Sequence, residues 1–260
     1  MTDLVALGQS GLWLRTGGAA LAIDPYLSNS VQAHHASDAA AWGRAFAPPL
    51  AAGAVRVDAV ACTHAHDDHC DPDTLRPLLA ANPRALVYGP GPVVDVLRRA
   101  GLEPQARRTF AGRPIDVAPG LRLTAIPSAH YDFEPDASGE PAYVGFVVEA
   151  GDLTLYHAGD SLVYDGLAER LAAWRIDVAC LPVNGRSADR EARGITGNMD
   201  AAEAAALARR IGARLTVPLH NDLFPANSAD WADVERAFAG VPLRRLAPGE
   251  TMALGPGVPA

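Results

Sequence analysis

The chain has 260 residues, 49% of them hydrophobic and 20% charged, enough to bury a sizeable core and too apolar for a disordered or collagen-like chain. Its net charge of −8 argues against nucleic acid or an anionic membrane as the main partner. Three cysteines without framework spacing, and no apolar run near the roughly 18 residues of a membrane helix, point to a globular protein of a reducing compartment, read as cytoplasmic.

Short β-type runs are expected at 3–7, 12–15, 20–24, 57–62 and 85–88, and again at 121–127, 143–149, 153–157, 177–183 and 214–219. Helices are expected between them. Asp71-Pro72 reads as an N-cap followed by a first-turn proline for a helix to about residue 81. A second helix over 91–100 is closed by Gly101, and an Ala-rich one over 199–211 by Gly212. A fourth is expected at 229–239, and 28–56 is the longest irregular stretch. The pattern predicts one domain over residues 1–260, with two mixed sheets packed together and helices outside. No glycine-rich phosphate loop is present in the sequence.

The chemistry concentrates in Thr63–Asp71, THAHDDHCD, which follows an apolar strand and precedes a capped helix. It places His64, His66, Asp68 and His69 within six residues, and imidazole and carboxylate are the ligands that Zn, Mn and Fe take from proteins. His64 and His66 can share one ion, while Asp68 and His69, displaced along the loop, can hold a second. Further ligands stand at strand ends: His130 after LRLTAIPSA, Asp160 after LTLYHAG, and His220 after LTVPL.

HAHDDH resembles the HxHxDH signature of the metallo-β-lactamase superfamily, and the order HxHxDH, His, Asp, His matches it over nearly the whole chain. LGQSGLWLR, IDP at 23–25, IDVACLPVNG at 176–185, RGITGNM at 193–199 and PLHND at 218–222 are similar to the L-ascorbate-6-phosphate lactonase-like branch. The N-acyl-phosphatidylethanolamine phospholipase D branch is a more distant likeness. The resemblance implies an α+β fold, a four-layer αββα sandwich. It also implies two divalent ions, Zn²⁺ or Mn²⁺: His64, His66 and His130 on one, Asp68, His69 and His220 on the other, and Asp160 bridging. A metal-bridging hydroxide is then the expected nucleophile, with Asp68 as the catalytic side chain that orients it or takes a proton.

Around that site, Asp24 is expected to accept an N–H from a ligand histidine, and His157 to support the site from its strand. Arg193, Asn184, Arg186 and Tyr131 are candidate substrate contacts, because an arginine fork suits a phosphate or carboxylate. His34 and His35 lie in the irregular stretch, read as a solvated loop with a lid as the alternative. Cys62, Cys70 and Cys180 read as core or packing residues. The expectation is a metal-dependent hydrolase of a lactone or related ester of a small anionic, sugar-derived metabolite, with homo-oligomerisation left open. The alternatives are a phosphodiesterase and a non-catalytic binding protein, the latter disfavoured by the intact ligand set.

Overall fold

The computed structural model describes residues 2–36 and 39–255. The N-terminal half builds a seven-stranded sheet from β1 (Thr2–Gly8), β2 (Gly11–Arg15), β3 (Ala20–Ile23), β4 (Ala59–Ala61), β5 (Leu86–Gly89) and β6 (Ala106–Arg108). The chain's last strand, β13 (Thr251–Leu254), pairs on β1 and completes it. β1, β2 and β3 are antiparallel neighbours, whereas β3 to β6 run parallel. The second sheet contains β7 (Pro114–Ala118), β8 (Leu121–Pro127), β9 (Val144–Ala150), β10 (Leu153–His157), β11 (Val178–Pro182) and β12 (Leu215–Leu219). Its order is β12-β11-β10-β9-β8-β7, with β10, β11 and β12 parallel.

The period-2 alternation of strands explains how these sheets stack. In β9, Phe146 and Val148 point inward and join Leu4, Leu14, Leu21, Leu155 and Val217 between the sheets. Val147 points the other way, into a layer with Leu167, Leu171, Ala204, Ala208 and Phe238. Leu167 and Leu171 belong to α5 (Leu167–Leu171), Ala204 and Ala208 to α7 (Ala201–Arg210), and α8 (Trp231–Ala237) lies beside them. On the far face of the first sheet, Val60 and Val87 pack under α3 (Pro72–Ala81) and α4 (Gly91–Arg99). Strands covered on both faces must be apolar throughout, and β4 (AVA) and β11 (VACLP) are buried at every position. The result is the expected αββα sandwich.

Local chemistry sets the helix ends. Asp71 accepts the N–H groups of Asp73 and Thr74, both at 3.1 Å, with Pro72 at the first helical position. Asp200 and Glu203 form a capping box at α7. Gly212, at φ +65°, lets the Ala213 N–H reach the Ala208 carbonyl at 3.0 Å and close that helix.

Several elements have no counterpart in the sequence pattern. β6, β7 and β13 are short or half-polar margins of the sheets, where one face meets water and alternation is weak. The stretch 28–56 contains α1 (Ser30–His34) and α2 (Ala39–Trp42), too short for a helical period to show. α5 and α6 (Ala188–Ala192) are likewise single turns. Among the described residues, no helix is long and apolar enough to cross a membrane.

Strand direction positions the site. β1 and β3 point the same way, as do β8, β10 and β12, since each antiparallel step reverses direction and two steps restore it. Asp24 follows β3, the histidine-rich loop follows β4, His130 follows β8, Asp160 follows β10 and His220 follows β12.

Candidate metal centre

Three groups of donor atoms converge there, each group within 4.8 Å of itself: His64, His66 and His130; His64, His69 and Asp160; Asp68, His69 and His220. His69 Nε2 stands 3.3 Å from Asp160 Oδ1 and 3.6 Å from Asp68 Oδ2. His220 Nε2 stands 3.2 Å from Asp160 Oδ2 and 3.4 Å from Asp68 Oδ2. His64 Nε2 and His66 Nδ1 are 3.0 Å apart. All seven expected ligands therefore converge, although they come from four separate segments.

The loop geometry follows from two special positions. Gly159 has φ +60°, and a Cβ there would sit 2.8 Å from the Thr63 Cβ and 2.9 Å from the Val144 carbonyl oxygen, so only glycine lets the Asp160 turn close on the histidine-rich loop. Asp24, at φ +45°, is fully buried and takes three donors: the Thr63 N–H and hydroxyl, both at 2.7 Å, and His69 Nδ1 at 2.8 Å. A carboxylate on Nδ1 fixes the tautomer, leaving Nε2 as the nitrogen that faces the cluster.

The residues fit a divalent cation. His69 Nε2 and Asp160 Oδ1 are buried in the cluster and make no hydrogen bond within the protein. Buried polar atoms are rarely left so, and two that face each other in one cluster is the pattern a bound ion would satisfy. The donors are nitrogen and oxygen only; Cys62 and Cys70 are packed under α3, and Cys180 lies between the sheets.

Charge is divided across the cluster. Burial, with His69 and His66 nearby, holds His64 well below the usual histidine value, and burial pushes His130 down to about 4. Against the same burial, Asp160, Asp68 and Asp24 raise His69 well above its ordinary value, and Asp160 and Asp68 raise His220 to about 9. Despite burial, those two histidines in turn hold Asp68 and Asp160 below the carboxylate range.

A cavity of about 290 Å³ opens over the cluster. His66, Asp68, His130, Asp160 and His220 line its base, and Val31, His35 and Trp42 form a wall from the stretch read as a solvated loop. His35 stacks on Trp42 at 4.6 Å, and exposed His34 meets Asp67 at 2.6 Å.

The remaining expected site residues are placed differently. His157 lies behind the cluster: its Nε2 is 2.8 Å from the Ser10 carbonyl, and its Nδ1 accepts the N–H of Gly159, the residue before Asp160, at 3.1 Å. It ties β10 to the β1–β2 turn. Arg186 is committed to a two-pronged pair with Glu203, at 2.7 and 2.8 Å, because Glu203 anchors the first turn of α7. Asn184 donates to Asn227 and accepts from Asn198, and exposed Tyr131 donates to Glu191 at 2.6 Å. None of these three lines the cavity; Arg193 is exposed beside cavity-lining Gly194.

Two residues at the centre had no part in the site read from sequence. Tyr143 packs its ring against His64, His66 and His130, with centroids 5.2 to 5.8 Å away. Gln9 donates to Asp68 Oδ2 at 2.8 Å. For Gln9 a signal existed, since it follows β1, which runs in the same direction as β3.

A model of the β-lactamase superfamily domain matches residues 21–221 of this chain. The chain belongs to the β-lactamase superfamily. Within that superfamily it is a metal-dependent hydrolase, similar to the UPF0173 metal-dependent hydrolases of Methanoculleus marisnigri and Opitutus terrae. The former is 30% identical, covering 76% of this chain and 83% of the relative. The latter is also 30% identical, covering 96% of this chain and 98% of the relative. A solved metallo hydrolase from Ignicoccus hospitalis superposes with a TM-score of 0.69 at 23% identity, over 96% of this chain and 97% of that one, and shares the superfamily fold.

Proposed function

We propose that this superfamily member hydrolyses a lactone or related ester of a small, sugar-derived metabolite, with two divalent ions of the Zn²⁺ or Mn²⁺ kind. The observation that carries the reading is the convergence of the seven donors, with His69 Nε2 and Asp160 Oδ1 buried and without a hydrogen bond, beside a cavity lined by His66, Asp68, His130, Asp160 and His220. In this reading His64, His66 and His130 hold one ion, Asp68, His69 and His220 hold the other, and Asp160 is shared. Such an ion pair, when bound, supplies a hydroxide near neutral pH and polarises the ester carbonyl.

The protein's own groups do the positioning. Asp24 aims His69. Asp68, ionised and held by the Gln9 amide, orients the attacking water and receives its proton. Val31 and Trp42 limit water on one side of the cavity. For an anionic substrate, Arg193 is the proposed cation, adjacent in sequence to cavity-lining Gly194. Arg186 and Arg190 spend their donors on Glu203 and on the Asn198, Asn184 and Ser228 carbonyls.

The test is turnover of a lactone panel and of bis-p-nitrophenyl phosphate after adding Mn²⁺ or Zn²⁺ to chelated protein. Lactone opening that follows metal supports the reading. Phosphodiester cleavage alone would replace it, and full metal loading with no ester hydrolysis would favour a binding protein.

A further inference from the structure

Gln9 stands in the tight turn between β1 and β2, 7% exposed, with φ +54°. A non-glycine residue keeps that conformation only where its surroundings hold it there. Here the holding contacts lead to the metal cluster. The Gln9 carbonyl accepts the His220 N–H at 3.1 Å. Its side-chain Nε2 donates to Asp68 Oδ2 at 2.8 Å and lies 3.1 Å from His220 Nε2. Asp68 orients the amide, because the opposite flip would set two oxygens, both acceptors, face to face, and the Gln9 amide packs against the His220 ring, accepting no hydrogen bond from a protonated Nε2. Asp68 follows a strand of the first sheet and His220 a strand of the second, so one residue spans both halves of the sandwich at the site.

We propose that Gln9 is a positioning residue for the Asp68–His69–His220 metal position: its amide sets the spacing of Asp68 and His220 and so tunes the affinity of that position alone. The proposal rests on the two-ion reading above. The Gln9 side chain contacts Asp68 and His220, both assigned to this position and neither to the His64–His66–His130 ion. Partners of metal ligands that orient them typically change metal affinity by about 10- to 100-fold when removed.

The test variant is Gln9→Gly. Glycine accepts φ +54° without strain, so the turn and its backbone contact to His220 persist while the amide is lost. Chelated wild type and variant are titrated with Co²⁺, following ligand-field absorption and heat, alongside thermal unfolding. The expected result is two binding steps in both proteins, the variant weakened about 10- to 100-fold in one step and unchanged in the other, with no loss of melting temperature. Gln9→Met, similar in length but without the amide, should behave the same way. Two unchanged steps, or two steps weakened equally, would overturn the role of Gln9. A wild type that binds only one Co²⁺ would instead overturn the two-ion reading, and the proposal with it.

Discussion

Asp24 accepts the Nδ1–H of His69 at 2.8 Å, and both side chains are fully buried. The same carboxylate takes the Thr63 N–H and hydroxyl, so one side chain fixes both the ligand's tautomer and the start of the loop that carries it. Asp24→Ala should therefore act twice. Metal affinity should fall about 10- to 100-fold. Stability should fall by about 1–3 kcal/mol, from buried donors left without a partner. Metal titration and chemical unfolding of the chelated protein check both effects, and wild-type values in either would contradict the assigned contact.

Metal loading should release protons. In the chelated protein His220 is held protonated up to about pH 9, and His69 also lies above its ordinary value. At about pH 7.5, filling the Asp68–His69–His220 position should expel the His220 proton, and apparent affinity should fall as pH falls. Calorimetry in buffers of different ionisation enthalpy measures this. Without metal, the two raised histidines stabilise the fold fully below about pH 6.5, and that contribution is lost as pH rises through their folded values. The lowered Asp68 and Asp160 contribute above about pH 4 and lose that contribution in acid. The lowered His64 and His130 contribute stability above about pH 6.5 that is lost as pH falls. Chelated protein should thus melt highest near about pH 6.5, with metal moving the optimum upward. Zero proton release would contradict the charge distribution described.

His34 should titrate above 6.5, raised by its contact with Asp67. A raised histidine pair is intact below the unfolded value and is lost as pH rises through the folded one. Asp67→Asn should return His34 to an ordinary value, seen by NMR, with stability changed by less than about 1 kcal/mol because the pair is exposed. An unshifted His34 in wild type would show that α1 is not tied to the histidine-rich loop.

Arg193 and Arg186 should separate cleanly. Arg193→Ala is expected to raise KM chiefly for anionic substrates, leaving neutral esters little changed. Arg186→Ala should cost at most about 1 kcal/mol through loss of the Glu203 pair and leave KM alone. An equal KM effect on neutral and anionic esters would remove Arg193 from substrate binding.

Much of this was legible in the order of residues. Clustered histidines in THAHDDHCD, followed by the Asp71-Pro72 helix start, placed a ligand loop between a strand and a helix, and strand-end His130, Asp160 and His220 pointed to the same edge. Substrate contacts were not legible, because Arg186 and Asn184 are near the site in sequence yet are claimed by Glu203 and Asn227, partners 17 and 43 residues away. The cavity wall was hidden for a different reason: Val31 and Trp42 sit on helices of one turn, whose form comes from packing on Tyr26, Leu223 and Phe224. Gln9 was hidden because a turn glutamine has no periodicity and gains meaning only from strand direction.

The most direct test of the account is elemental analysis of purified wild type and of His66→Ala and Asp160→Asn, with circular dichroism and ester turnover on the same samples. Close to two divalent ions in the wild type, fewer in each variant, native spectra throughout and turnover lost with the metal is the predicted result. Wild-type protein that folds, hydrolyses esters and holds no metal, or variants with full metal and full turnover, would contradict the centre described at His64–His69, His130, Asp160 and His220.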